Sequence, residues 1–167
     1  TTLEETAGKL SNRVIGWFGM AKTLKALERY AEAQDALLNI ADNPEVAVYS
    51  RTKALVEIGY AQYLRGALSD AFETFSVVEN DFKNESGAES QYMKTQILFD
   101  QGMALRADNQ LEAANEKFEA VKEATRYMAN NYPTFNYWKA RTFFVVANAF
   151  YELGNTFQAK GTLESLA

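Results

Sequence analysis

A fixed spacing recurs four times along the 167 residues of this chain: a small residue, an alanine twelve positions later, and large apolar residues four and seven positions after the alanine. The four sets are Ala21/Ala33/Leu37/Ile40, Gly59/Ala71/Phe75/Val78, Gly102/Ala114/Phe118/Val121 and Ala147/Ala159/Leu163/Leu166. A spacing that recurs through a whole chain indicates one structural unit used repeatedly. Repeat arrays bury their core between neighbouring units, and they usually work by offering a long surface to another molecule.

Helix is the regular structure that the apolar pattern predicts. Apolar residues step by three and four through Val14, Trp17, Ala21 and Leu24, and similar steps recur in each set. The two prolines, Pro44 and Pro133, each follow the end of such a pattern, where proline stops a helix. We therefore predict an all-α fold of four helical hairpins: 10–28 with 31–42, 46–65 with 69–82, 87–107 with 110–130, and 137–153 with 156–166. A compact helical bundle is the alternative, although unrelated bundle helices have no reason to share a register.

The predicted turns and helix starts have signals of their own. Gly66 and Gly154 fall between paired helices, where a residue that accepts positive φ closes a tight turn. Glu28 and Asn109 occupy the same place in the other two units. Ser86 and Glu89 have the spacing of a capping box, which predicts the start of a long helix.

Composition limits the chemistry that the chain can perform. It has no histidine and no cysteine, so thiol catalysis, disulfides and cysteine–histidine metal sites are excluded. The net charge is −5 with acids and bases mixed, which argues against nucleic-acid binding, and no apolar run is long enough to insert into a membrane. Most acids fall on solvated helix faces. We expect no enzyme activity and no cofactor or metal; an all-helical enzyme or small-ligand binder is the least favoured alternative.

The spacing resembles that of the tetratricopeptide repeat, a helix–turn–helix unit of about 34 residues. In that family a small residue on the first helix and an alanine on the second lie where the two helices approach most closely, as Gly59 with Ala71 and Gly102 with Ala114 would. The bulky first-helix position four residues before the small one is matched by Trp17, Leu55, Leu98 and Phe143. The resemblance implies a single domain over residues 1–167, a right-handed α-α superhelix of about four units at 10–44, 46–83, 87–131 and 137–167.

The chain also departs from the family pattern. The four alanines are 38, 43 and 45 residues apart, so the units are longer than is usual in the family, and Gln62 replaces an apolar residue. Such long units resemble those of large bacterial multi-repeat proteins, and the closing stretch is similar to the last repeat of such proteins from Bacteroidetes. This resemblance slightly favours a periplasmic or cell-envelope location over a cytoplasmic one. Thr1 is not a natural start, so we expect a piece of a longer protein.

The resemblance implies that the first helix of each pair lines a concave groove that binds a peptide. The candidate residues are displaced by about 100° from the packing stripe of those helices. They are Phe18, Lys22, Lys25, Val56, Tyr60, Tyr63, Phe99, Met103, Arg106, Arg141, Phe144, Val145 and Tyr151. Of the lysine, asparagine and arginine clamp that grips a carboxylate in this family, Lys22 alone fits. We therefore expect the groove of a non-catalytic scaffold to take an apolar segment or an amphipathic helix of a protein partner.

Two alternatives stay open at this stage. The groove candidates could instead pack against neighbouring helices, and the array could serve as a structural or assembly segment. In that case its apolar surfaces would stack on flanking repeats or on another copy, which would give self-association. The aromatic cluster of Tyr127, Tyr132, Phe135, Tyr137 and Trp138 around Pro133 would form either an external binding surface or, as we favour, a plug beneath a long loop.

Overall fold

The computed structural model describes residues 3–166, with side chains from residue 8 onward, and the regular structure of this part of the chain is helix, with no strand. The α-helices are α1 (Leu3–Ala26), α2 (Tyr30–Ala41), α3 (Val48–Leu64), α4 (Leu68–Asp81), α5 (Ala88–Ala107), α6 (Leu111–Lys122), α7 (Ala124–Asn131), α8 (Asn136–Glu152) and α9 (Thr156–Glu164), with a π-helical turn at Lys83–Gly87. The all-α prediction is confirmed. None of the described helices combines the length and apolarity that crossing a bilayer requires.

The chain divides into two compact units, one up to Ser90 and one from Gln91 onward, each with its own core. In the first unit, α2 packs against both α1 and α3, and α3 packs against α4. Leu37 and Ile40 of α2 lie in one buried cluster with Ala21 of α1 and with Ala54 and Ile58 of α3. In this unit the repeated spacing therefore places Leu37 and Ile40 between two consecutive hairpins.

The second unit is built around the side chains of α6. Phe118 and Val121 of α6 are buried with Val145 and Val146 of α8, and half-buried side chains of α5 pack against this cluster. Helix α8 also packs against α7 and α9.

The small residue of the repeated spacing makes room for a ring. A Cβ atom built on Gly59 would lie 2.6 Å from Cε1 of Phe75, and one built on Gly102 would lie 2.6 Å from Cε1 of Phe118. The sequence pattern predicted that each glycine lies against the alanine of its set. The atoms nearest to the added Cβ belong instead to the phenylalanine four residues after that alanine. The glycines allow the second helix to place a large side chain directly against the first.

The four predicted hairpin turns share one conformation. Glu28, Gly66, Asn109 and Gly154 all have positive φ, between 59° and 87°. In each turn the next residue's amide donates to a carbonyl five residues back, as Arg29 does to Leu24 at 2.9 Å and Asn155 to Phe150 at 2.8 Å. This is the Schellman arrangement, which satisfies the last carbonyls of a helix.

Three local predictions need correction. The predicted helix at 110–130 breaks at Glu123 into α6 and α7, and this break buries Ala124 and Met128 of α7. The first helix begins at Leu3 and not near residue 10. The capping box is wrong, because the hydroxyl of Ser86 lies 2.8 Å from that of Thr52 and the carboxylate of Glu89 pairs with Lys53.

Candidate binding surface on the first helices of the hairpins

In the first unit, the predicted groove residues differ widely in accessibility. Lys22 is exposed, whereas Phe18 is half-buried and packs against the core around Leu37. Val56 is 2% exposed, so its side chain is not accessible to a partner in this structure. Tyr60 and Tyr63 are half-buried, with ring centroids 6.3 Å apart. Lys22 is therefore exposed on this surface, and the two tyrosines are partly accessible.

Ion pairs join neighbouring first helices and occupy several of the predicted cations. Lys25 of α1 pairs with Glu57 of α3, and its Nζ atom also lies 5.5 Å from the centre of the Tyr60 ring. Arg106 of α5 pairs with Glu152 near the end of α8, and donates to the backbone carbonyl of Glu152 at 2.9 Å. These two cations are neutralised within their own units, so neither presents an uncompensated charge to a ligand.

A cavity of about 560 Å³ lies between α5 and α8 in the second unit. Three predicted groove residues of α8 line it, namely Arg141, Phe144 and Val145. Phe144 is 58% exposed, and it shares this accessibility with two other aromatic side chains of α8, Tyr137 and Tyr151. The other lining residues are Tyr92, Gln96, Tyr137, Ala140 and Leu166. The volume is within the range of sites that hold a small ligand or a few side chains of a peptide.

The guanidinium of Arg141 is fixed in place among aromatic rings. Its Nη2 donates to the Tyr92 hydroxyl and its Nη1 to the Tyr137 hydroxyl, both at 2.8 Å. Its Cζ atom lies 4.7 Å from the centre of the Tyr92 ring and 5.8 Å from that of Trp138, which is cation–π distance. The hydrogen bonds to Tyr92 and then to Tyr137 raise the pKa of Arg141 above its ordinary value. The cavity thus has a permanently charged donor whose orientation is set before any ligand arrives.

The remaining predicted residues of the second unit lie outside the lining of this cavity. Phe99 is half-buried, with its ring centroid 5.6 Å from that of Phe118 in the core. Met103 is exposed on α5, and Tyr151 is 64% exposed near the end of α8. The structure therefore brings together Arg141, Phe144 and Val145, while Phe99 serves the core.

Sequence reasoning missed the two tyrosines that hold Arg141. Tyr92 and Tyr137 each lie ten residues before the small residue of their set, Gly102 and Ala147. The predicted first helices 87–107 and 137–153 already contained both tyrosines, and this shared register was a signal that could have placed them at the same repeat position. Tyr137 was instead assigned to the aromatic cluster of the loop, although it lies in the first turn of α8. Within that cluster Tyr132 is buried and packs edge-on against Phe135, as a plug would.

A second cavity of about 530 Å³ lies among α7, α8 and α9 and contains none of the predicted groove residues. Its apolar walls are Phe143, Phe150 and Phe157. Phe157 is almost fully exposed, at a position where the earlier sets carry Ala31, Ser69 and Glu112.

Comparison of the chain with protein-family models, with curated proteins and with solved structures gave no match in any of the three.

Proposed function

We propose that this chain is a non-catalytic protein–protein interaction scaffold built from four tetratricopeptide-like hairpins in a right-handed solenoid. The partner would supply an extended peptide or an amphipathic helix to the surface of the first helices. The repeated spacing and the four equal hairpin turns support the repeat architecture. The mixed charge, with no histidine or cysteine, favours binding over catalysis.

One observation carries the proposal, namely the cavity between α5 and α8 with Phe144 exposed at its edge. Exposing a phenylalanine side chain costs about 1.5–3 kcal/mol relative to burying it. Phe144 is already partly buried, so a partner that covers it gains about half of this free energy. Aromatic and arginine side chains are also the types that contribute most at the centres of protein interfaces.

The composition of the cavity indicates what kind of segment it takes. Its walls are mainly tyrosine, phenylalanine, valine and leucine, so a large apolar side chain is the natural anchor. The guanidinium of Arg141 keeps unused N–H donors beside this anchor after bonding Tyr92 and Tyr137. A backbone carbonyl of the bound segment can accept from it. The ligand is then an apolar segment whose backbone is held by one fixed donor.

Selection from a displayed library of random peptides tests the proposal without knowledge of the natural partner. We expect the wild-type chain to select peptides that share bulky apolar residues. The Phe144→Asp variant should bind those peptides at least about 30-fold more weakly, as expected for a central interface residue worth about 2 kcal/mol. Because Phe144 is exposed, the variant should keep the helicity and melting temperature of the wild type.

The matched control is Phe157→Asp, which changes a still more exposed phenylalanine that lies outside the α5–α8 cavity. This variant should bind the selected peptides as the wild type does. If the library gives no binders, or if the selected peptides bind the Phe144→Asp variant unchanged, the α5–α8 surface is not the binding site and the proposal fails.

A further inference from the structure

Arg141 differs from Lys25 and Arg106, two cations that also reach a neighbouring first helix. Lys25 of α1 pairs with Glu57 of α3, and Arg106 of α5 pairs with Glu152 of α8. Arg141 donates to hydroxyl groups instead, and no ion pair joins it to a carboxylate within residues 8–166. Its charge therefore has no partner of opposite sign where the other two cations have one.

The side chains of α5 that line the cavity are neutral. The Tyr92 hydroxyl, which accepts from Arg141, also lies 3.5 Å from Oε1 of Gln96. The amide nitrogen of Gln96 donates in turn to the carboxylate of Asp100 at 2.8 Å. Asp100 is thus engaged with Gln96, and the described residues that line the cavity include no aspartate or glutamate. The cavity carries a positive charge that its own walls leave uncompensated.

Two hydrogen-bond donors stay available beside each other at this charge. The Tyr137 hydroxyl accepts from Nη1 of Arg141 at 2.8 Å, so it keeps its own O–H proton for another acceptor. The guanidinium keeps N–H donors beyond those that the two tyrosines use. Tyr137 is 61% exposed and lines the cavity together with Arg141. A carboxylate has two oxygens, and it can accept from both donors at once.

The apolar part of the cavity lies one helical turn from this pair of donors. Phe144 follows Arg141 by three residues on α8, and both side chains line the cavity. Residues at this spacing are neighbours on a helix surface, with Cβ atoms about 5–6 Å apart. A bound segment therefore meets an apolar surface and a cation within one turn. An acidic residue three or four positions from a bulky apolar residue has the same separation on an amphipathic helix.

We propose that the α5–α8 cavity selects a partner segment that carries an aspartate or glutamate side chain beside its bulky apolar residue. The carboxylate binds Arg141 and Tyr137, while the apolar residue lies against Phe144. This proposal rests on the proposed function and specifies the chemistry of its ligand. Because one face of an amphipathic helix supplies both groups, we assign the carboxylate to a side chain and not to the end of a peptide.

The contact should be stronger than an ordinary ion pair on a protein surface. The guanidinium is held by two hydroxyls and lies 4.7 Å from the centre of the Tyr92 ring, so little side-chain freedom is lost on binding. The bound segment also displaces water from a mainly apolar cavity, which reduces the screening of the pair. Exposed ion pairs change an affinity by up to about fivefold. We expect about tenfold for this pair.

Peptides that the wild-type chain selects provide the test. We expect an aspartate or glutamate to recur three or four positions from their bulky apolar residue. Replacing that acid by its amide should weaken binding to the wild type about tenfold and leave binding to the Arg141→Gln variant unchanged. Arg141→Lys keeps the charge but loses the fork of donors, so it should retain part of the preference for the acid.

The control is Arg126→Gln, which removes an arginine that is exposed and lies outside the lining of the α5–α8 cavity. This variant should keep the full tenfold preference for the acid over the amide. Raising the salt concentration from about 50 mM to about 500 mM should weaken the acidic peptide more than its amide counterpart. The comparison of the two peptides on the wild-type chain does not depend on the folding of any variant.

The outcomes separate this proposal from the one on which it rests. Peptides that need Phe144 but bind equally well as acid and amide overturn the role of the carboxylate, and the proposed function stands. Peptides that bind the Phe144→Asp variant unchanged, or a library without binders, contradict both proposals. Amidation of the peptide's C-terminus should leave the affinity unchanged. A loss on amidation would overturn the assignment of the carboxylate to a side chain.

Discussion

At the scale of single residues, the smaller residue of the repeated spacing accompanies the larger side chain sixteen positions later. Gly59 faces Phe75 and Gly102 faces Phe118, whereas the other two sets combine Ala21 with Leu37 and Ala147 with Leu163. A glycine thus accompanies each phenylalanine and an alanine accompanies each leucine. The side chain sixteen residues after the small residue therefore decides whether glycine or alanine fits at the small position, because packed interiors have no spare volume for an added methyl group.

This matching predicts that Gly59→Ala destabilises the fold and that a second change repairs it. The added methyl group would lie 2.6 Å from the Phe75 ring, and overpacking of this kind costs about 1–3 kcal/mol. Adding Phe75→Leu recreates the alanine–leucine combination of Ala21 with Leu37. We expect the double variant to be more stable to urea than Gly59→Ala alone, and a strictly additive loss would contradict the size-matching explanation.

Gly16→Ala is the matched control for this substitution, since it makes the same change in an open environment. No atom lies within 4 Å of a Cβ built on Gly16. The free energy of unfolding should therefore rise by about 0.5–1 kcal/mol, the usual gain from replacing glycine inside a helix. The two substitutions thus have opposite expected signs, which separates the effect of packing from that of helix propensity.

The hairpin turn of the first unit carries a residue that is poorly suited to its backbone. Glu28 has a φ of 59°, a region that costs residues with a Cβ about 1–2 kcal/mol. Gly66 and Gly154 fill the same position in two other turns. We expect Glu28→Gly to raise the urea midpoint and Gly66→Ala to lower it. Asn109→Gly should have a smaller effect than Glu28→Gly, because asparagine tolerates this conformation, and an equal gain at both sites would contradict the explanation.

At the scale of helices, corresponding leucines contribute unequally because one helix lacks a cover. Leu37 of α2 is fully buried, while Leu163 of α9, at the same repeat position, is 43% exposed. Leu37→Ala should reduce the free energy of unfolding by about 2–5 kcal/mol. Leu163→Ala should reduce it by less than about 1 kcal/mol in dilute solution. Chemical denaturation at low protein concentration checks both values, and similar losses would show that α9 is packed as firmly as α2.

The helices were predictable from the sequence because each follows from local apolar periodicity and from turn residues that recur at one register. The break at Glu123 was not predictable in this way, since the burial of Met128 and Ala124 against α8 decides it. The capping box at Ser86 does not form, because Ser86 contacts Thr52 and Glu89 pairs with Lys53 instead. The candidate site was predicted in part: Arg141 and Phe144 were found from the register, but the role of Tyr92 depends on a partner 49 residues away in sequence.

At the scale of the whole molecule, the chain offers two kinds of surface that arise from one repeated register. The face three residues before the small position carries Phe144, which borders the α5–α8 cavity. The face one residue before it packs hairpins on each other and is left open at Met20 of α1. The same offset carries Val56, which is buried, and Phe99, which is half-buried against the core, so the exposure of Phe144 is particular to α8 and does not follow from the offset. Changes at Phe144 and at Met20 should still have separate effects, because Met20 does not line the α5–α8 cavity.

This difference gives a prediction for the two variants together. Phe144→Asp should weaken the binding of selected peptides at least about 30-fold. Met20→Lys removes an exposed apolar side chain of α1, and the affinity for the same peptides should stay within about twofold, since it touches none of the residues that line the cavity. Peptide titration of both variants measures the two affinities. An equal loss of affinity in both variants would contradict the assignment of peptide binding to the α5–α8 cavity, because a change outside its lining would then have the same effect as a change at its edge.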